Sequence, residues 1–395
     1  MKEYDIIVIG GGPIGGYIAS NLSKKDYKVA LFEKNKEIGT PVNCAGLVTS
    51  RVFDFLDISK NDCIQNKIKG AIIHSPSNNI LKIGGDKEHA VVINRKIFDQ
   101  KIIDSAEDKG SELFLKHNVL SLFRNDKKVE IKTSGGFEAK SNLVVGADGP
   151  YSKVRDRFIE FEPKEFIRGL GAEISNVSLD SDFVEIFVGE NIAPGFFAWV
   201  IPTNKAGTTA RIGLCVPNNS KKAPKYYLTN FLKDKNTKKI FKDAKIKEYI
   251  GGIIPLGVIK KTYADNVFVV GDAAAQVKPT SGGGIYPGLL CASNIFSVVD
   301  KAFEKNDFSE KTLKEYQKKW TKEFGTELIR GMRFRSIYKK LSDNQMNKYV
   351  EKFNDPKVTE IINKYGDIDY PSKLVKPLLK KIPFLLKLIP NFLKK

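Results

Sequence analysis

The chain has 395 residues, of which 42% are hydrophobic, and this is enough for two compact lobes that each have a core. No apolar run is long enough to span a bilayer, and a strand that follows Met-Lys-Glu leaves no room for a signal peptide. Three histidines and four widely spaced cysteines argue against a metal site, a Ser-His-Asp triad and a disulfide framework, so we expect a metal-free cytoplasmic protein. The formal charge of +19 indicates an anionic partner, unless it reflects only a solvated lysine-rich surface.

The first 33 residues have the element order of a dinucleotide-binding unit. The apolar run Asp5–Ile9 predicts a buried parallel strand, and Lys28–Phe32 predicts a second strand that ends at Glu33. A helix over about residues 14–24 connects the two strands. An acid at this distance past the first strand fits a pair of ribose hydroxyls and repels a 2′-phosphate.

Three glycines after the first strand have the G-x-G-x-x-G spacing. Gly10 permits a tight turn, and Gly12 lets the backbone approach a pyrophosphate without a Cβ in the way. Gly15 lets the following helix pack close to the strand. The N-terminus of that helix directs free N–H groups at the phosphates.

The chain from residue 34 to residue 158 reads as short strands around one helix. Residues 34–48 are too rich in Gly and Pro for a regular element. The predicted elements that follow are a hairpin over 68–83, a strand over Ala90–Asn94, a helix from Arg95 to about Lys109, and strands over Leu113–Leu122, Val129–Thr133 and Leu143–Val145.

From Gly169 to Val216 the pattern changes to short strands without helical periodicity, which predicts a separate antiparallel sheet. A lysine-rich helix over Ala223–Lys245 follows. The chain then returns to the first lobe. The elements of this region are strands over Phe183–Val188, Phe197–Ile201, Thr209–Val216 and Val267–Val270, and long helices over Gly282–Phe303 and Ser309–Leu341.

Two later motifs identify the dinucleotide as FAD. One is Val144-Val-Gly-Ala-Asp148-Gly149, and the other is Phe268-Val-Val-Gly-Asp272 followed by glycines at 282–284. A late strand that ends in Gly-Asp favours FAD over NAD, because the ribitol of FAD needs a polar partner far from the adenine. The glycines at 282–284 open a helix whose N–H groups can face the flavin pyrimidine oxygen, where the helix dipole favours the negative charge of reduced flavin.

With these motifs, residues 1 to about 340 resemble the group A flavoproteins of the p-hydroxybenzoate hydroxylase fold. Within that fold the chain most resembles the archaeal geranylgeranyl reductases. Pro41-Val-Asn-Cys44-Ala45 is similar to the Cys-Ala loop of that family, and Phe197-Ala-Trp199-Val-Ile-Pro202 is similar to its Tyr-x-Trp-x-Phe-Pro motif along the substrate cavity. The chain departs from the family in Phe197 and Ile201, which replace Tyr and Phe, and in Gly46-Leu47 after Cys-Ala.

The resemblance implies a set of FAD contacts. Near the pyrophosphate it places the glycine loop and Arg95, whose guanidinium fits phosphate oxygens. It places Glu33 at the ribose, the backbone of Val119 at the adenine and Asp272 at the ribitol. The implied cofactor residues are Gly10, Gly12, Ile14, Gly15, Glu33, Cys44, Ala45, Leu47, Arg95, Val119, Asp148, Asp272, Gly283, Gly284 and Ile285, and the implied substrate-cavity residues are Phe197, Trp199 and Pro202.

Several of these residues have a structural alternative. Arg95 can be a surface arginine that opens a helix, and Asp148 can serve a turn. The alternation of aromatic side chains at Trp199 is typical of core packing. Cys44 can be a buried free thiol or can approach the flavin, and a disulfide between Cys44 and Cys291 is a speculative redox gate.

The C-terminal stretch 371–395 mixes seven lysines with leucine, isoleucine and phenylalanine and has no acid. Pro377, Pro383 and Pro390 are expected to break it into short turns. Such a segment suits the lipid interface, and the alternative is an amphipathic helix docked on the catalytic lobe.

These patterns predict an α/β fold, with a Rossmann-like FAD-binding domain, an inserted antiparallel substrate domain and a C-terminal helical region. The expected boundaries are 1–68, 90–158 and 262–310 for the FAD domain, 69–89 and 159–261 for the substrate domain, 311–370 for the helices, and 371–395 for a membrane-interface tail.

The resemblance implies an FAD-dependent reductase that saturates the C=C bonds of geranylgeranyl chains in archaeal lipid precursors. The basic C-terminal stretch adds the expectation of a cytoplasmic protein that is peripheral at the inner face of the cell membrane. Reduced FAD would deliver hydride from N5 to one alkene carbon, and Cys44 or water would supply the proton to the other. The electron donor stays open between a ferredoxin, NAD(P)H and a deazaflavin. The alternatives are an NAD(P)H-dependent flavin hydroxylase of an aromatic or lipid substrate and, from the charge alone, a flavin-containing RNA-binding protein, for which no nucleic-acid module is present.

Overall fold

The computed structural model describes residues 1–381. Most predicted elements are present with ends shifted by one to three residues. The strands are β1 (Lys2–Ile9), β2 (Val29–Phe32), β3 (Leu47–Val48), β4 (Ile64–Ile68), β5 (Gly70–His74), β6 (Ile80–Gly84), β7 (Ala90–Ile93), β8 (Glu112–Phe114), β9 (Val119–Asn125), β10 (Lys128–Thr133), β11 (Glu138–Gly146), β12 (Glu165–Ser175), β13 (Phe183–Phe187), β14 (Ala198–Pro202), β15 (Thr209–Pro217), β16 (Lys245–Leu256), β17 (Tyr263–Ala264) and β18 (Val267–Val269).

The helices are numbered along the chain in the same way as the strands, and they pack on the outside of the sheets. The α-helices are α1 (Pro13–Ser23), α2 (Lys60–Cys63), α3 (Arg95–Asp108), α4 (Lys153–Phe158), α5 (Pro224–Lys233), α6 (Lys238–Phe241), α7 (Ile285–Ser293), α8 (Phe296–Glu304), α9 (Glu310–Trp320), α10 (Thr326–Tyr338), α11 (Asp343–Phe353), α12 (Pro356–Tyr365) and α13 (Val375–Lys381). Among these described helices, none is both long enough and apolar enough to cross a membrane.

A parallel sheet in the order β18-β11-β1-β2-β8 forms the centre of the first lobe. Its strands are buried on both faces, which explains their continuous β-branched sequences. The register pairs Ile9 with Phe32 on one side and with Gly146 on the other, and Gly146 with Val269. The carboxyl ends of four strands therefore meet at one edge, and each of the three predicted motifs begins there.

The second lobe is a seven-stranded sheet in the order β16-β12-β15-β14-β13-β5-β6. All neighbours are antiparallel except β13 and β5. One face packs against α5 and α6, and the other faces the first lobe. A third, small sheet has the order β3-β7-β4. Its strands flank β5 and β6 in the sequence, where the chain enters the second lobe and leaves it again.

Four predicted elements differ from the structure. The helix predicted over Ala223–Lys245 is two short helices, and the long edge strand β16 was missed because it is lysine-rich and exposed at its start. The strand predicted over Leu113–Leu122 is interrupted between β8 and β9. The helix predicted over Gly282–Phe303 breaks between α7 and α8, and that over Ser309–Leu341 contains a π-helical turn at Thr321–Gly325.

The C-terminal helices cover one end of the second sheet. Asn363 on α12 accepts a hydrogen bond from the backbone N–H of Gly84 on β6, at 2.8 Å. Helix α13 continues through Pro377, so the prediction that this proline breaks the tail was wrong. Pro377 is tolerated because it lies in the first turn, where the missing N–H has no helical partner. The rest of the predicted membrane-interface tail, 382–395, lies outside the described residues.

Candidate functional site

One cavity of about 890 Å³ lies between the carboxyl edge of the parallel sheet and the inner face of the antiparallel sheet. Its size is in the range of pockets that hold cofactors and other large ligands. Every motif that the sequence identified contributes residues to its wall.

The three glycines of the loop have different surroundings. A Cβ on Gly15 would overlap the carbonyl oxygen of Gly10, and one on Gly10, whose φ is +111°, would lie 2.7 Å from the carbonyl carbon of Ala147. Only Gly12 has open space, with nothing within 4 Å of the position of a Cβ. Gly10 and Gly15 are thus required for packing, whereas Gly12 leaves the cavity free beside α1.

The N-terminus of α1 points into this free space without a capping side chain. Gly12 is the N-cap residue, with φ −80° and ψ 180°, and Pro13 follows at the first helical position. The first-turn N–H groups of a helix have no partner within the helix, and here no side chain caps them. The arrangement suits an anion such as a pyrophosphate.

Glu33 is fixed at the end of β2. Its Oε2 accepts a hydrogen bond from the N–H of Gly11 and its Oε1 one from the N–H of Asn35, both at 2.8 Å. The carboxylate therefore has a defined orientation beside the glycine loop. Val119, predicted at the same end, lines the cavity, and its carbonyl accepts a hydrogen bond from Lys153 Nζ at 2.9 Å.

Arg95 lies in the cavity wall and is not a surface residue. Its guanidinium donates to both carboxylate oxygens of Asp99, at 3.1 and 2.9 Å, and only 14% of the side chain is exposed. Burial works against the charge of Arg95, but the negative charge of Asp99 and side-chain hydrogen bonds to Asp99 and Cys44 outweigh it and raise the pKa of the guanidinium. Arg95 is thus a fixed cation that reaches the Cys-Ala loop.

The Cys-Ala loop is held from the other side by Arg211 of β15, which is 4% exposed. The guanidinium donates to the carbonyl of Ala45 at 3.1 Å and to that of Ile93 at 2.8 Å. Gly46 has φ +73°, and a Cβ there would overlap Arg211. The N–H of Gly46 donates to Cys44 Sγ at 3.3 Å, so the thiol has a defined place in the loop.

The two carboxylate oxygens of Asp148 differ, because one is hydrogen-bonded within a turn and the other has no partner in the described residues. Its Oδ2 accepts hydrogen bonds from the N–H groups of Lys153 at 2.8 Å and Val154 at 3.3 Å, as a turn residue would. Its Oδ1 is buried and has no hydrogen-bond partner among residues 1–381. Burial raises the pKa of this carboxyl. A buried unpaired oxygen is costly, so this atom is suited to a ligand.

Arg155 joins the motif that ends at Gly149 to the motif that ends at Asp272. This buried guanidinium donates to the carbonyl of Pro150 at 3.0 Å and to that of Ala273 at 3.3 Å. Next to it, Asp272 lies against the start of α7, and a Cβ on Gly284 would be 2.8 Å from Asp272 Oδ1. Burial raises the pKa of Asp272 to about 6, against the opposing charge of Arg95.

A buried ion pair connects the Gly282–Gly284 turn to the C-terminal segment. Lys278 Nζ lies 2.7 Å from Asp369 Oδ1, and both side chains are almost fully buried. Asp369 also accepts hydrogen bonds from Thr49 Oγ1 at 2.6 Å and from Arg51 at 3.2 Å. The segment around Asp369 therefore closes one side of the cavity.

The far end of the cavity is apolar. It is formed by side chains from four adjacent strands of the second sheet and by Ala45 and Leu47 of the loop. Trp199 lies in this part, with Phe197 edge-on at 6.1 Å, and its Nε1 is buried without a partner among the described residues. The strand residues that line this end are Ala71, Ile83, Val184, Ile186, Trp199 and Ile201.

Most of the predicted site residues line this one cavity. The exceptions are Gly15, which packs beneath Gly10, and Pro202, whose carbonyl accepts a hydrogen bond from Asn66. Cys44 and Cys291 are both free thiols, and Cys291 is buried in the core, so the structure contains no disulfide between them. The predicted residues on the wall are Gly10, Gly12, Ile14, Glu33, Cys44, Ala45, Leu47, Arg95, Val119, Asp148, Phe197, Trp199, Asp272, Gly283, Gly284 and Ile285.

Several charged residues of the wall were not identified from the sequence, among them Arg211, Lys278, Asp99 and Asp369. Arg211 is a charge within an apolar strand, Thr209–Val216, and that pattern alone marks it as a buried, partnered group. Lys278 lies between two recognised motifs, but its partner Asp369 is 91 residues away and has no sequence signal.

Comparison with known proteins agrees with this geometry. A family model described as FAD binding domain matches residues 3–322. A digeranylgeranylglycerophospholipid reductase of Methanocaldococcus jannaschii is 35% identical and the alignment covers 99% of this chain and 98% of the relative. The enzyme of the same name in Methanococcus vannielii is 31% identical, with 98% and 97% covered. A geranylgeranyl bacteriochlorophyll reductase-like structure from Thermoplasma acidophilum has a TM-score of 0.86 at 24% identity and covers 100% of both chains, which shows a shared fold.

Proposed function

The chain belongs to the geranylgeranyl reductase family of FAD-binding oxidoreductases, and we propose that it saturates carbon–carbon double bonds in the geranylgeranyl chains of membrane lipid precursors. The observation that carries this proposal is the apolar end of the cavity, which belongs to the same cavity as the cofactor motifs. An alkyl chain needs such a wall, because it offers no group for hydrogen bonding.

The residues of the wall fit FAD. The uncapped N-terminus of α1 and the free space at Gly12 suit the pyrophosphate, and Glu33 is oriented for the ribose. Asp272 is placed for the ribitol, and the uncapped N-terminus of α7 follows the glycine turn. The buried Oδ1 of Asp148 can accept one further hydrogen bond. We therefore assign the adenosine end to Glu33 and the flavin end to Asp272 and α7.

The chemistry that FAD would supply here, when bound and reduced, is a hydride equivalent for one carbon of the double bond. The other carbon needs a proton, and we assign Cys44 Sγ as its source. The thiolate that remains would be stabilised by the Arg95 guanidinium and by the N–H of Gly46, which both reach the sulfur. Arg211 holds the loop from below, so the sulfur keeps its position.

The apolar walls have a second role in the reaction. An isolated alkene is not polarised, so the proton donor must be close and water must be kept out. The side chains of Val184, Ile186 and Trp199 exclude water from the place where the chain would lie. Trp199 Nε1 is a buried donor in this wall without a partner in the described part of the chain, and we propose that it orients a polar group of the lipid near the chain.

The test is anaerobic turnover of a geranylgeranyl lipid by the chemically reduced protein in deuterated water, followed by the mass of the product. Reduction adds two hydrogens per double bond, and both carry solvent deuterium because the N5–H of reduced flavin exchanges with the solvent, whereas hydroxylation needs oxygen and adds its mass. Product without added hydrogen would overturn the proposal.

The proton donor is tested separately. Cys44→Ala should keep FAD bound and lose reduction of the lipid by about 10²-fold or more. Cys44→Ser, which retains an O–H at the same place, should recover part of the rate. Wild-type turnover by Cys44→Ala would assign the proton to water and would leave the reductase proposal intact.

A further inference from the structure

The net positive charge of the chain is concentrated in two segments. Residues 221–249 contain ten lysines and three acids, and residues 371–395 contain seven lysines and no acid. These 54 residues carry fourteen of the nineteen net charges. The charge is therefore a local feature, and a uniformly solvated surface does not describe it.

The first segment forms α5, α6 and the beginning of β16, on the outer side of the antiparallel sheet. We call the exposed side of these elements the basic face. All ten of its lysines are exposed, and none of them forms an ion pair within residues 1–381. These lysines are Lys221, Lys222, Lys225, Lys233, Lys235, Lys238, Lys239, Lys242, Lys245 and Lys247.

The basic face also has large apolar groups at its surface. Tyr226 is 50% exposed, Tyr249 59% and Ile246 41%. Beneath them, Phe231 and Phe241 are buried in the core of the second lobe, so the face is a fixed surface. Lysines interspersed with exposed tyrosine and isoleucine are the composition of surfaces that lie at the lipid headgroups.

The basic face adjoins the cavity through β16. Ile250 and Gly251, which directly follow Tyr249, line the cavity, and Gly251 is exposed. Because a strand rises about 3.3 Å per residue, Tyr249 lies within about 7 Å of Gly251 along the strand. The cavity wall thus reaches the surface beside the basic face.

We propose that the basic face docks the protein on an anionic lipid bilayer, so that the edge strand β16 lies at the headgroups beside the cavity. The proposal rests on the proposed function, which supplies a membrane lipid as the substrate. Interfaces with proteins are depleted in lysine and enriched in arginine, and the face has ten lysines and no arginine. This composition favours a bilayer over an acidic protein.

The test measures binding of the full chain to phosphatidylglycerol–phosphatidylcholine vesicles by sedimentation. The variant replaces Lys238, Lys239 and Lys242 by glutamine. At about 1 kcal/mol per lysine near an anionic surface, the loss of three charges should weaken the vesicle partition coefficient about a hundredfold. Binding to phosphatidylcholine alone should be weak for all variants, and wild-type binding should decrease with salt.

The matched control replaces three lysines of α9 on the first lobe, Lys311, Lys314 and Lys318, which are also exposed and form no ion pair in the described range. It removes the same total charge and should leave the partition coefficient within about twofold. FAD content and the melting curve of both variants should equal those of the wild type.

Three results would overturn the proposal. One is equal vesicle binding by the basic-face variant and the wild type, and another is an equal loss in the control. The third is unchanged vesicle binding with slower reduction of the bound flavin by an acidic carrier protein, which would assign the face to a protein. Turnover of a detergent-solubilised lipid distinguishes failure of the docking proposal from failure of the reductase proposal. Such turnover requires the reductase activity but no contact between the basic face and a bilayer.

Discussion

Gly12 and Gly15 provide a matched pair that separates cofactor binding from folding. Both belong to the same motif and both can be replaced by alanine, yet a Cβ meets open cavity at Gly12 and overlaps a backbone oxygen at Gly15. We expect Gly12→Ala to fold and to lose FAD affinity, and Gly15→Ala to lose stability first.

The magnitudes follow from the two environments. At Gly12 the backbone is extended, so alanine fits. Alanine is a poorer N-cap than glycine, which destabilises the helix, but it also lowers the entropy of the unfolded chain, which stabilises the fold. The two effects nearly cancel, and the free energy of unfolding should change by less than about 1 kcal/mol. At Gly15 the Cβ would also lie 3.1 Å from the carbonyl carbon of Gly10, and both groups are backbone. The overlap requires α1 to move, and overpacking of this kind costs about 1–3 kcal/mol or more.

The assay has two parts. Urea unfolding of the FAD-free proteins, followed by circular dichroism, gives the stability change, and quenching of flavin fluorescence gives the FAD dissociation constant. For Gly12→Ala the constant should rise at least tenfold, about 1.4 kcal/mol. Wild-type FAD affinity in Gly12→Ala, or wild-type stability in Gly15→Ala, would refute the assignment of these two glycines.

Three further predictions concern charged residues of the cavity wall. Burial raises the pKa of Asp272 from its ordinary 3.8 to about 6, so the contribution of this carboxyl to stability is full below about pH 4 and is lost as the pH rises through 6. In the FAD-free protein the loss in the free energy of unfolding is about 3 kcal/mol. Asp272→Asn should remove this pH dependence from urea unfolding. Asp369→Ala should cost about 3–5 kcal/mol because Lys278 stays buried without its partner, and a double variant with Lys278→Met should recover part of the loss; equal stability of the single and double variants would contradict this. Arg211→Met should cost about 3 kcal/mol and make the loop at Ala45 sensitive to protease, and Arg211→Lys should not rescue it, since one ammonium cannot replace the guanidinium fork.

The parts of the fold that the sequence predicted are those with local signals. The glycine spacing, the β-branched strands and the Gly-Asp at 271–272 each need only neighbouring residues to be recognised. They predict an FAD site in one lobe, and the register of β1, β2, β11 and β18 explains why distant motifs meet at one edge.

The parts that were missed depend on contacts between distant residues. Strand β16 has an exposed, lysine-rich start, so its pattern is that of a polar helix until its pairing with β12 is known. Lys278 has no visible role until Asp369 is placed beside it. The family resemblance placed Arg95 at the pyrophosphate, but its position alone also allowed a surface arginine, and the packing around it shows that it is largely buried.

The central claim is that one cavity brings an unsaturated isoprenoid chain to FAD. It is tested most directly by reducing the protein under anaerobic conditions until its visible flavin absorption disappears and then adding a lipid with geranylgeranyl chains. The account predicts that the absorption returns without oxygen, and that the matching lipid with fully saturated chains has no effect. Flavin that stays reduced with both lipids and is oxidised only when oxygen enters would contradict it.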